Sequence, residues 1–92
     1  MKISQFDRDQ KGYFKASDGE QRGGLMTYTW AGDDRVIIDH TEVNSAFKGR
    51  GVGKQMVLAA VEFARAKGIS IVPLCPFAKA IFDKNEDIRD VL

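Results

Sequence analysis

The sequence predicts one α/β (α+β) domain. An antiparallel three-stranded meander continues into a parallel β-α-β unit, and C-terminal helices come last. Three observations carry this reading. Strand formers run through residues 12–16 (GYFKA), 23–30 (GGLMTYTW) and 35–43 (RVIIDHTEV), parted by turn residues that include Asp18-Gly19. From Val52 onward the apolar period changes, and Val52, Met56, Ala59, Ala60, Phe63 and Ala64 recur at helical spacing. Beyond Gly68, residues 69–74 (ISIVPL) are almost wholly apolar, as in a strand buried on both faces. A strand, a crossover helix and a second strand imply parallel pairing by the right-handed rule.

Each element rests on local chemistry. Residues 1–11 are polar apart from Ile3 and Phe6, which leaves two alternatives, a short edge strand or a loosely ordered lead. On the return strand Leu25, Thr27 and Thr29 share one face, while Met26, Tyr28 and Trp30 share the other. In the third strand Val36, Ile38, His40 and Glu42 alternate with Ile37, Asp39, Thr41 and Val43. The long helix is expected over 51–67, with Arg65 and Lys67 in its last turn and Gly68 just beyond. Pro73 lacks a donor, so the strand over 69–74 is expected at an edge or leaving its neighbour near its end. Pro76 opens a second helix to about Lys84, and Asn85 is expected to cap a short helix over 86–91.

The 92 residues suffice for a single domain, 1–92, around one small core. A hydrophobic content of 43% with 29% charged residues is that of a soluble globular chain. The net charge of +1 argues against a general nucleic-acid binder. No apolar run reaches membrane-spanning length, and the first ten residues have no signal-peptide core. One cysteine forms no internal disulfide, so a reducing, cytoplasmic location is expected.

The chemistry-bearing stretch is residues 37–54 (IIDHTEVNSAFKGRGVGK), a strand, a glycine-rich loop and the first turn of a helix. Such a junction is an anion site, because free backbone N–H groups and the positive dipole end face the loop. From Val43 to Val61 there is no Asp or Glu, whereas Lys48, Arg50 and Lys54 fall inside. The glycines at 49, 51 and 53 fit neither the P-loop nor the dinucleotide fingerprint. Two further residues stand near the carboxyl ends of the parallel strands, where ligands bind in such sheets. Cys75 precedes the helix opened by Pro76, with Lys79 one turn on, features that favour a thiolate. A lone cysteine is also commonly an inert small hydrophobe. His40, the only histidine, lies three residues before Val43, where a neutral imidazole could deprotonate an amine or the thiol, or simply be satisfied within the sheet.

Lys48-Gly49-Arg50-Gly51-Val52-Gly53 is similar to the Gln/Arg-x-x-Gly-x-Gly/Ala pyrophosphate loop of the GNAT acetyltransferase superfamily, with Lys48 in the first position. Together with HTEV at 40–43 and PLCPF at 73–77, it resembles the small single-domain GNAT-like N-acetyltransferases. The resemblance covers most of the chain. It implies acetyl-CoA or CoA as cofactor and an unidentified amine as acceptor. It sets the backbones of Thr41 and Val43 along the acetyl and pantetheine arm. Lys48, Gly49, Arg50, Gly51, Val52, Gly53 and Lys54 then bind the pyrophosphate, and Cys75 is the acyl-accepting or catalytic residue, while His40 is a catalytic candidate by its place on the strand alone. The chain departs from the family in three places. Phe77, Ile81 and Phe82 occupy the region of the usual tyrosine acid, Asn85-Glu86 stands where the small subgroup has His/Asn-Pro, and the N-terminal helix pair has no room.

The resemblance therefore implies an enzyme that acetylates an amine by direct attack or through Cys75. The alternative is a non-catalytic acyl-CoA-binding or protein-interaction module on the same scaffold. A bare sheet face would leave room for a protein partner or a second copy of the chain.

Overall fold

A computed structural model describes the whole chain, Met1–Leu92. One five-stranded sheet keeps the order of the chain: β1 (Lys2–Arg8), β2 (Lys11–Asp18), β3 (Gln21–Trp30), β4 (Arg35–Val43) and β5 (Ser70–Pro73). Neighbours from β1 to β4 are antiparallel, and β5 runs parallel to β4. Helix α1 (Val52–Lys67) makes the crossover and α2 (Pro76–Lys84) comes after β5. Single 3-10 segments span Ser45–Phe47 and Glu86–Val91. No helix is long and apolar enough to cross a membrane.

The antiparallel part has four strands rather than three, because Lys2–Arg8 forms a full edge strand. Its polar sequence has a physical purpose. Ile3 packs against the core, while Asp7 accepts hydrogen bonds from the Tyr28 hydroxyl at 2.5 Å and from Trp30 Nε1 at 2.9 Å. Gln5 Nε2 donates to the same Tyr28 oxygen at 2.9 Å. Burial first, and the Asp7 carboxylate second, push the Tyr28 pKa far up, so the phenol stays protonated. Gly12 makes room for this side chain, since a Cβ there would lie inside the Tyr28 ring and against the Phe6 carbonyl.

All helices pack on one face of the sheet. Phe14, Met26, Tyr28, Val36, Ile38 and Ile71 meet Met56, Val57, Ala60, Val61 and Ala64 of α1, and Ala78 and Phe82 of α2 close the layer. The Phe63 ring sits at 6.1 Å from each of Phe14, Tyr28 and Trp30. Such buried side chains contribute roughly 1.5–3 kcal/mol each. Helix α1 ends at Gly68, whose φ of +68° and N–H bonds to the Ala64 and Arg65 carbonyls make a left-handed stop. Arg65 ties the C-terminal segment down through Asp90 at 2.7 Å and the Asp87 carbonyl at 2.9 Å. The opposite sheet face carries no helix, and there Tyr13, Leu25, Thr27 and Ile37 are half-buried.

Four expectations change. The helix begins at Val52, with Gly51 as its left-handed cap. β5 lies at the sheet edge as Pro73 implied, but it spans only Ser70–Pro73 and is not buried on both faces, with Ile71 alone buried because the strand's outer face is bare. The last segment is 3-10, and Asn85 donates to the Ile81 carbonyl at 2.7 Å, closing α2 instead of capping the 3-10 turn after it. Lastly, β4 does not alternate throughout. Tyr28 pairs with Ile38 but Thr27 with His40, so Asp39 is an extra residue, a β-bulge. Beyond it Thr41 and Val43 turn to the helix face, and His40 and Glu42 turn to the bare one.

Candidate functional site

The loop after β4 is closed by its own polar groups. Asn44 Oδ1 accepts from Ala46 N–H at 2.9 Å, and its Nδ2 donates to the Arg22 carbonyl at 3.0 Å. Phe47 is buried beneath the turn, and Arg50 N–H bonds its carbonyl at 3.2 Å. Gly49 and Gly51 then take φ of +84° and +69°. A Cβ at either would meet nothing within 4 Å. Glycine is therefore demanded here by backbone conformation, and the space above these residues is open.

The first bond of α1 runs from Gln55 N–H to the Gly51 carbonyl at 3.0 Å, which leaves the amides of Val52, Gly53 and Lys54 without a helical acceptor. The first turn of α1 contains no acidic residue. Lys48, Arg50 and Lys54 are exposed around it. Arg50 is already engaged, with its guanidinium 4.8 Å above the Phe47 ring and 3.8 Å from Asp18 in the β2–β3 turn. Gly53 serves a different purpose, since a Cβ there would collide with the Phe77 ring. That contact brings the N-terminus of α2 against the N-terminus of α1.

β4 and β5 pair only from Arg35/Ser70 to Ile38/Pro73, and a last bond joins Cys75 N–H to the Ile38 carbonyl at 3.1 Å. Past this point β4 has no neighbour on that side. Asn44 N–H bonds the Gly23 carbonyl, so by antiparallel alternation His40 and Glu42 direct their amides to β3, while Thr41 and Val43 direct theirs into the gap. The amides not directed to β3 are thus those of Thr41 and Val43.

Cys75 lies at the inner end of this gap, 6% exposed, with Sγ 3.4 Å from Thr41 Oγ1. Burial is the largest single influence and opposes ionisation. Hydrogen bonds from the Thr41 hydroxyl and from the Ala78, Phe77 and Thr41 amides together outweigh it, and the thiol pKa falls below its ordinary value. The exposed side chains of Leu74 and Phe77 flank it. His40 is not brought to the thiol. Its Nε2 lies 3.2 Å from Glu42 Oε1 on the bare face, whereas Cys75 is on the helix face.

Two contributors escaped the sequence reading. The Thr41 side chain reaches Cys75 only because the bulge at Asp39 reverses its face, and no local residue pattern announces a bulge. Phe77 stood out only as a departure from a tyrosine, yet its ring and amide join the two helix ends. The pairing of a glycine in a first helical turn with an aromatic after a proline was the available signal.

A five-stranded sheet whose parallel edge parts beside the N-terminus of the crossover helix sets the class of fold. The chain belongs to the GCN5-related N-acetyl-transferase family, whose profile matches residues 13–91. It is 27% identical over 79 residues to Protein NATD1 of Xenopus tropicalis, covering 86% of this chain and 72% of that protein. The human Protein NATD1 is 25% identical, with 86% and 70% covered. Among solved structures, a GCN5-like protein of Staphylococcus aureus has a TM-score of 0.72 at 32% identity, over 98% of this chain and 85% of that one. AAC(6')-Iy, solved in complex with the bisubstrate analogue CoA-S-monomethyl-acetylneamine, has a TM-score of 0.59 at 17% identity, over 88% and 62%, a likeness of fold.

Proposed function

We propose that this protein transfers acetyl from acetyl-CoA to an amine, with Cys75 as the first acyl acceptor. The observation that carries the reading is the gap past Ile38 and Pro73. The free amides of α1 stand at one end of the region, the lowered thiol at the other, and the Thr41 and Val43 amides between. These residues fit an acyl-CoA. Gly49 and Gly51 leave open space over unpaired amides for a pyrophosphate, and the Lys48 and Lys54 cations lie beside it. Acetyl-CoA supplies an activated thioester.

The chain's own groups position and polarise. The Cys75 thiolate forms a bond to the acetyl carbon as the carbon–sulfur bond to CoA breaks, and CoA leaves as a thiolate that takes up a proton. The amine then attacks the acetyl-cysteine, loses a proton and frees Cys75. The Thr41 hydroxyl, 3.4 Å from the sulfur, and the Thr41 amide favour the thiolate when it forms. A second reading rests on a different observation: His40 faces the bare side of the sheet, where it can take a proton from an amine that attacks the thioester directly. The covalent reading requires Cys75 to stay a thiol, which suits a reducing, cytoplasmic compartment.

The test is incubation with acetyl-CoA, then intact-mass and peptide mass spectrometry. A hydroxylamine-labile acetyl group on Cys75, with acetyl passed on only when an amine is added, is the expected result. A Cys75→Ala protein that acetylates at the wild-type rate refutes the covalent route and leaves direct attack. CoA binding without transfer to any amine supports the non-catalytic module instead.

A further inference from the structure

We infer that the bare sheet face is the acceptor subsite, and that it takes a primary ammonium carried on an aromatic body. This inference rests on the transferase reading and names its substrate class. Cross-strand register sets one row of side chains across four strands, with Phe6 opposite Tyr13, Tyr13 opposite Thr27, and Thr27 opposite His40. At one end of the row the Phe6 and Tyr13 rings stack at 5.4 Å with 19° between planes, and Phe6 is 46% exposed. A recess of about 900 Å³ opens over the Phe6, Tyr13 and Thr27 part of this row, running from the β1–β2 turn to Asp39, and His40 stands just outside it. That volume lies within the range of small-molecule sites.

Charge orients what enters. Arg8, Lys11 and Asp9 line the β1–β2 end of the recess, with Asp9 4.0 Å from Arg8 and one positive charge in surplus, whereas the Asp39 carboxylate lines it at the bulge, with His40 and Glu42 next along β4. An ammonium is therefore repelled at one end and attracted at the other. Asp39 is held by the Thr29 hydroxyl at 2.7 Å, which fixes one carboxylate oxygen and leaves the other to accept. Tyr13 and His40 are two strand spacings apart, about 10 Å, the span of a ring with a short amine arm. The ring stacks on the Phe6–Tyr13 platform and the nitrogen lies between Asp39 and His40.

The position also suits the chemistry. His40 comes directly after the bulge, just past Ile38, the last residue paired across the β4–β5 seam, so the amine arrives from the bare face where the sheet has parted. Glu42 accepts from His40 Nε2, leaving Nδ1 to receive the ammonium proton. The nitrogen then forms the amide bond as the carbon–sulfur bond breaks, its second proton goes to solvent, and the departing sulfur is protonated.

The experiment titrates 2-phenylethylamine into the full-length protein, with and without CoA, and monitors backbone amides by NMR. Tyr13, Thr27 and Asp39 amides are expected to shift. 2-Phenylethanol, which lacks the charge, and ethylamine, which lacks the ring, should each bind about tenfold more weakly. Asp39→Asn should weaken the amine about tenfold and leave the alcohol unchanged, and Phe6→Ala at the exposed edge should weaken both several-fold. Absence of shifts on this face, or equal binding by wild type and Asp39→Asn, overturns the inference. Binding here without any N-acetyl product overturns the transferase reading alone.

Discussion

Gly51 offers the sharpest test of the loop, because the cost of changing it can be separated from the function it serves. Its φ is +69° and a Cβ would touch nothing, so Gly51→Val is opposed by conformation and not by collision. Forcing a β-branched residue into the left-handed region costs roughly 1–2 kcal/mol. For a domain of this size that lowers the melting temperature by about 4–8 °C per kcal/mol. Gly68 is a matched control at the other end of α1, with φ of +68° and equally open surroundings. Gly68→Val should therefore lose the same stability while retaining CoA affinity. Gly51→Val should remain folded but lose CoA, since the valine projects over the unpaired amides. Urea unfolding and calorimetric titration of both variants decide the matter. Retained CoA affinity in folded Gly51→Val, or equal loss in Gly68→Val, would refute the assignment of these amides.

The thiol should alkylate with a pH midpoint below that of an ordinary cysteine, and Thr41→Val should raise that midpoint by removing the hydroxyl donor. Because its folded pKa is depressed, Cys75 adds stability as pH rises through that lowered value, fully present above the unfolded value and lost on acidification, which denaturant midpoints across mildly alkaline pH can check. Lys48→Ala and Arg50→Ala should each weaken CoA by about 1 kcal/mol in calorimetric titration, less in high salt. Asp18→Asn should instead tighten CoA a few-fold by releasing Arg50 and removing a nearby negative charge, and unchanged affinity would refute that competition. Arg65→Ala should speed amide exchange through Ile88–Val91 while α1 keeps its protection, since its guanidinium bonds Asp87 and Asp90, leaving the segment to the Arg89 bonds and the buried Ile88 and Val91.

The sequence was most legible where glycine and proline punctuate it. Gly68 and Pro76 marked element ends because their backbone restrictions act locally, and the period change at Val52 located the crossover helix. Legibility failed where a residue answers to a distant one. Gly12 reads as an ordinary strand start, yet its lack of a side chain serves Tyr28, 16 positions later. Gly53 reads as part of a phosphate loop, and its missing side chain also admits Phe77. β1 was ambiguous because much of its hold on the sheet comes through Asp7 and Gln5 and not through alternating apolar residues. The bulge at Asp39 was invisible because IIDHTEV alternates well in either phase, and only the register against β3 chooses between them.

The sheet order has a kinetic consequence. Every strand lies beside its neighbour in the chain, so three of the four pairings are hairpins that close short loops. Only β4 and β5 join residues such as Arg35 and Ser70, separated by an entire helix. That is the closure with the largest entropic cost, and it belongs late in folding. The gap beside Cys75 is created by this same closure, so the binding region is completed only when the chain is. A ligand spanning it would bind the finished fold and not its hairpin precursors, and would slow unfolding of the crossover in proportion to its occupancy.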